Sequence, residues 1–145
     1  MSIFKILDYI LNIYKSLTPK QKEAVVESVV ELFRSTFTKM KESFHKNKKN
    51  ETEEEILKNS STNLTQPELN TSRLAMLSAL PASLPQSRKQ KFTGSVLELV
   101  QSTEFLDELD NRIKQVNIEE ADMYIEQCSL LMRQLLTEMI LEKKL

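Results

Sequence analysis

The sequence predicts an all-α protein: a small helical bundle built from two related helical hairpins joined by a flexible linker, plus a long C-terminal helix. Three observations lead there. Apolar residues recur at spacings of three and four through both halves of the chain, helix-start signals precede these runs, and one segment resembles another 67 residues further on.

Residues 3–16 place Ile3, Ile6, Leu7, Ile10, Leu11, Ile13 and Tyr14 at helical spacing, with Ser2 available as cap. Thr18-Pro19-Lys20-Gln21 then combines an N-cap, a proline at the first helical position and a Gln three residues after the cap, the elements of a capping box. The helix behind it runs through Val25, Val26, Val29, Val30, Leu32, Phe33, Phe37, Met40 and Phe44 and meets no breaker before His45-Lys46-Asn47. Its valines gain little from helix propensity, so burial against other elements must hold them. Residues 1–46 therefore read as an N-terminal helical hairpin.

Residues 47–70 read as a flexible polar linker. Lys and Asn give way to Glu51, Glu53, Glu54 and Glu55, then to Ser, Thr and Asn with Pro67, and little apolar surface is present to offset the entropy of ordering. Thr52 with Glu55 allows a transient turn of helix. Residues 71–145 form a C-terminal helical region. Leu74, Leu77 and Leu80 begin a pattern that Pro81 and Pro85 stop, and Phe92, Val96, Leu97, Leu99 and Val100 resume it. Residues 102–115 follow with Phe105, Leu106, Leu109 and Ile113. The last helix is expected over 118–143, with Asn117 as cap and Glu120 three residues on.

Offset by 67 residues, segment 16–36 falls on 83–103 without a gap and matches at nine of 21 positions: Ser16/Ser83, Leu17/Leu84, Lys22/Lys89, Ser28/Ser95, Val29/Val96, Glu31/Glu98, Leu32/Leu99, Ser35/Ser102 and Thr36/Thr103. Upstream, Leu7, Ile10 and Ile13 fall on Leu74, Leu77 and Leu80. Two copies of one unit are expected, each a short helix, a Ser-Leu turn containing Pro and a longer helix. Gly94 replaces Glu27 inside the second copy, at a local cost of about 1 kcal/mol that bends that helix or starts it later.

Ser16-Leu-Thr-Pro-Lys-Gln-Lys22 before a Val-rich helix, and Leu77-Ser-Ala-Leu-Pro81 with Leu84-Pro85 and Arg88-Lys89 before Val96-Leu-Glu-Leu-Val100, resemble the BESS motif, over residues 7–36 and 74–103. That resemblance implies a short helical protein-interaction segment of the kind found in some insect MADF-type transcription factors, with self-association and partner binding near chromatin. The chain departs from the pattern in the shorter spacing between Pro81 and Leu84 and in showing no MADF DNA-binding domain.

Composition narrows the function classes. Lys and Arg number 20 against 21 Asp and Glu, a net charge of -1, so no overall basic field drives non-specific nucleic-acid binding. One Gly, one His and one Cys leave no material for a phosphate-cradling Gly-rich loop, a His/Cys metal cage or a Cys/His nucleophile pair. Cys128, among Ile125, Leu131 and Met132, reads as a buried core thiol. The apolar start carries Lys5, Asp8 and Lys15 without a small-residue cleavage site, and no stretch approaches a membrane span. An intracellular protein, cytoplasmic or nuclear, is expected, and the Asn-x-Ser/Thr matches at Asn50, Asn59, Asn63 and Asn70 carry no weight in that setting.

Two surfaces are candidates for function. Residues 1–50 carry ten cations and five acids, net +5, with Lys39, Lys41, Lys46, Lys48 and Lys49 clustered at a helix end, while residues 51–70 are net -4. The five lysines are the candidate polyanion contact, although adjacent blocks of opposite sign largely cancel and a helix end favours cations anyway. His45 beside them reads as a surface residue. The carboxylates Glu104, Asp107, Glu108, Glu119, Asp122 and Glu126 read as a solvated acidic face, since helix-borne di-metal sites need His partners that are absent. The stronger candidate is the last helix, where Ile118, Ala121, Ile125, Cys128, Met132, Leu135 and Met139 alternate by three and four as a packed helical seam does. Either this ridge is buried within its own bundle or it also supplies a dimer interface. The expectation is a non-catalytic helical interaction or assembly protein, self-associating through that helix. It needs no cofactor or metal and makes no membrane contact, and its partner is a second copy or a partner helix. The alternative is a small nuclear BESS-like regulator that contacts nucleic acid.

Overall fold

The computed structural model describes residues 2–45 and 53–142, without the side chains of residues 43–45, 53, 54 and 62. Among the described residues the fold is an all-α bundle of seven helices and no strand: α1 Ile3–Tyr14, α2 Pro19–His45, α3 Glu53–Thr62, α4 Gln66–Ala79, α5 Gln86–Val100, α6 Thr103–Ile113 and α7 Ala121–Glu142.

The start signals work as the sequence requires. The Lys5 amide donates to Ser2 Oγ at 3.3 Å and opens α1. At α2 the box is reciprocal: the Gln21 amide donates to Thr18 Oγ1 at 3.1 Å, and the Thr18 amide donates to Gln21 Oε1 at 2.9 Å. Ser102 caps α6 by accepting from the Phe105 amide at 3.2 Å. Each cap satisfies amides that the first turn of a helix cannot pair internally.

The long helix α2, about 40 Å at 1.5 Å per residue, is the spine of the bundle. It packs against α3, α4 and α7, while α1 packs against α5 and α7. The lines of contact give the directions. Lys41 meets Ile118 and Glu27 meets Arg133, so α7 runs antiparallel to α2. Ser72 Oγ donates to the Ser28 carbonyl at 3.1 Å across α2 and α4. Tyr9 lies by Arg88 while Ile3 and Ile6 share a cavity with Leu97 and Gln101, which sets α1 antiparallel to α5. A single hydrophobic cluster draws on all seven helices, with Phe33, Phe37, Phe92, Phe105 and Tyr124 among its largest fully buried members. The first and last thirds of the chain thus contribute to one core.

The flexible linker expected over 47–70 is corrected from residue 53 onward; residues 46–52 lie outside the described part. Ile56 and Leu57 of α3 are buried, Ser61 is fully buried, and the Gln101 side chain donates to the Ser61 carbonyl at 2.8 Å. Lys58 pairs with Asp107 of α6 at 2.6 Å. Two apolar side chains suffice because α2 and α6 present a surface to receive them, each worth about 1.5–3 kcal/mol on full burial. The α4 pattern also differs: Ser72, Met76 and Leu80 face inward, whereas Leu74 is 63% exposed.

Gly94 sits mid-helix in α5, and a Cβ added there would meet nothing within 4 Å. Gly94→Ala is therefore expected to stabilise the fold by about 0.5–1 kcal/mol, read as a higher midpoint in urea at unchanged slope.

Candidate interaction surface

α7 starts at Ala121 rather than at 118, because Glu120 and not Asn117 does the capping. The Met123 amide donates to Glu120 Oε2 at 2.6 Å and the Tyr124 amide to the Glu120 carbonyl at 3.0 Å. From there the helix divides into an inner and an outer line.

The inner line is the seam read from the sequence. Cys128, Met132 and Met139 are fully buried, Leu135 is 1% exposed and Ile125 is buried, all within the chain's own bundle. Their service as an interaction face is thereby corrected: they pack against α1, α2 and α6 and leave nothing to offer a partner. Ile118 is half-buried ahead of the helix, and Ala121, on the same line as the ridge, is exposed at the first turn.

Charged pairs flank this line on both sides. Arg133 makes a two-point contact with the Glu27 carboxylate of α2, and Arg34 reaches Glu126 at 3.0 Å. On the other flank Arg112 of α6 donates to both carboxylate oxygens of Glu138, at 2.9 and 3.0 Å, and to Glu108 at 3.1 Å. The hydrogen bonds to Glu138 and Glu27 push the guanidinium groups of Arg112 and Arg133 above their ordinary range, against the opposing pull of burial. The planar fork of Arg fixes angle as well as distance, which suits it to setting helix rotation.

The outer line is what remains. Met123 is 60% exposed, Leu130 42% and Leu141 48%. They are separated by seven and eleven residues, so with 3.6 residues per turn they fall on one line down the helix, with Gln127 and Gln134 between them. That spacing was present in the sequence, but the denser inner ridge masked it.

Of the lysine cluster only Lys39 and Lys41 lie among the described residues, and the two do not share a surface. Lys41 is 6% exposed; its ammonium donates to the Ile118 carbonyl at 2.6 Å and lies 5.1 Å from the Tyr124 ring centroid. It is corrected from polyanion contact to an internal tie between α2 and α7. Lys39 is exposed and lines a groove of about 910 Å3 between α2 and α4, together with Glu27, Glu31 and Glu68. Lys46, Lys48 and Lys49 lie outside the described residues, as does the His45 side chain. The acidic face is in part engaged: Asp107 pairs with Lys58, Glu108 with Arg112 and Glu126 with Arg34. Glu104, Glu119 and Asp122 are exposed.

Among the described residues, no group of three or more His, Cys, Asp or Glu could hold a metal ion, and no helix is long and apolar enough to cross a membrane. The α2–α4 groove has a floor of small side chains such as Ala24, Ser28, Ser72 and Ala75, with Glu27, Glu31, Glu68 and Lys39 also lining it. No protein-family model matches the chain, and neither does any curated protein or solved structure.

Tyr14 is a titratable member of the core beside α7. Burial raises its phenol above the ordinary value of 10.0, and a hydrogen bond with the Thr137 side chain acts in the opposite direction. A raised folded value means the unfolded chain gives up the proton first. Stability from this group is therefore full below pH 10 and lost as pH rises above it. Tyr14→Phe is expected to flatten the fall in stability measured by denaturant titration on the alkaline side.

Proposed function

We propose that the chain is a non-catalytic helical interaction or assembly protein that associates with a second copy through the outer line of α7. One observation carries this: Met123, Leu130 and Leu141 stay in water on one line of a helix whose other line is fully used. Exposed apolar side chains in register on a rigid helix are the usual anchors of helix-mediated recognition. An intracellular setting, cytoplasmic or nuclear, belongs to this reading. The 67-residue repeat fits it as well: the contact of α1 with α5 is the counterpart, under that offset, of the contact of α4 with α2.

The second reading is the BESS-like regulator. It is favoured by the cations Lys20, Lys22, Arg88 and Lys89, which open the long helix of each copy and have no acidic partner among the described residues. A salt titration of duplex binding tests it, since phosphate contacts weaken steeply with salt.

For the first reading, light scattering across concentration should give a mass that rises above the monomer value of 16.8 kDa. Leu130→Glu should hold it at the monomer value while changing stability by no more than about 0.5 kcal/mol. A wild-type chain that stays monomeric at high micromolar concentration would sink the proposal.

A further inference from the structure

The charges of this nearly neutral chain are sorted by position. At one end of the bundle stand Lys15, Lys20, Lys22, Arg88, Lys89 and Lys91, gathered around α1. Lys91 lies 4.5 Å from the Tyr9 ring centroid, Lys22 lies 5.5 Å from that of Tyr14, and the Tyr9 hydroxyl meets the Arg88 carbonyl at 3.5 Å. None of the six has an acidic partner among the described residues; elsewhere Arg34, Arg112, Arg133, Lys58 and Lys114 are paired, and Lys5, Lys39 and Arg73 stand singly away from this end. Neither α2 nor α5 has an acid in its first turn, where the helix dipole favours one; both begin with cations instead. Such a cluster works against local stability, because cations at these helix starts oppose the dipole and one another.

The outer face of α7 has the opposite character at its start. Glu119, Glu120, Asp122 and Met123 are exposed there; Glu126 follows, engaged by Arg34, and Lys41 is turned inward beneath. Because α7 runs antiparallel to α2, this acidic apolar face lies at the level of Lys41. That is 19 residues, or about 29 Å, from Lys22 along α2. The two surfaces are several Debye lengths apart at physiological salt and cannot neutralise each other within one molecule.

We infer that they meet between molecules: the basic end of one copy docks on the acidic, Met123-bearing face of α7 in the next, head to tail. This rests on the reading of α7 as the association surface and adds what covers it. An antiparallel pairing of two α7 helices is the poorer match. It would set the acidic half against residues 131–145, whose three cations and two acids sum to +1, whereas the six cations of the basic end with Asp8 and Glu23 among them sum to +4. A head-to-tail contact leaves a free surface at each end, so assembly continues to a ring or an open chain.

The test uses two charge-swapped chains, Lys20→Glu/Arg88→Glu and Glu119→Lys/Asp122→Lys, at exposed positions, with circular dichroism confirming helix content. Light scattering at about 0.01 M salt should show each variant as a monomer, and an equal mixture should give twice the 16.8 kDa monomer mass and no more. The wild type should assemble there and fall to monomer near 1 M salt, where the Debye length is about 3 Å. If the basic-end variant assembles as the wild type does while the α7 variant is monomeric, the head-to-tail contact is overturned and the α7 reading stands. A mixture of two monomeric variants that forms no complex overturns it likewise. If the wild type remains monomeric, and more so if its basic end retards a DNA duplex or binds anionic vesicles, both are overturned.

Discussion

Substituting Leu135 by Asp is expected to abolish cooperative unfolding and to remove most of the helical ellipticity. Leu135 is 1% exposed on the inner line of α7, among residues that belong to one continuous core. The change removes a buried leucyl side chain and places a carboxylate in the apolar core. Together these cost about 4 kcal/mol or more, a large part of the 5–15 kcal/mol that holds a domain of this size. Leu130→Asp, five residues earlier on the outer line, should leave the unfolding midpoint almost unchanged. A silent Leu135→Asp would show that the ridge is not where the structure puts it.

The second large effect is expected at Leu57. If α3 is part of the core, Leu57→Ala removes a fully buried side chain and lowers stability by about 2–5 kcal/mol, with the larger values if the space between α2 and α6 cannot close. Were residues 53–62 a solvated connection, the same change would cost no more than about 0.5 kcal/mol. Urea titration of the two chains separates these outcomes cleanly.

Leu57 also shows where the sequence stops being informative. The capping box at Thr18 and Gln21, the long apolar runs of α1, α2 and α7 and the breaks at Pro81 and Pro85 are local signals that appear in the fold, whereas the box expected at Asn117 does not, since Glu120 caps α7. α3 has no such signal. Its two apolar residues stand among Glu, Asn and Ser, and only the surfaces of α2 and α6 make their burial worthwhile. Leu74 is the converse case, an apolar residue in register that the bundle leaves in water because Met76 takes the inner place.

The candidate surface was half legible for a related reason. Helical spacing identifies a ridge that must be covered, but not by which molecule. Ile125, Cys128, Met132, Leu135 and Met139 were correctly grouped by period, yet their partner proved to be the chain itself. What decides the matter is the apolar surface that α1, α2 and α6 present to this line, with Arg–Glu pairs at its flanks that join residues as distant as Glu27 and Arg133. Likewise Lys41 looked like a member of a basic cluster, and only the position of Tyr124 and the Ile118 carbonyl reveals it as an internal tie.

The most direct test of that division of α7 uses the one thiol in the chain. Cys128 is fully buried at the middle of the inner line, so its reactivity reports whether the ridge is covered within a single molecule. Labelling with a water-soluble disulfide reagent at low concentration, where the chain is monomeric, should be slow, and its rate should not change when the protein is concentrated. Rapid labelling of the dilute chain, with protection appearing only on concentration, would contradict the account and return the inner ridge to the interface between copies.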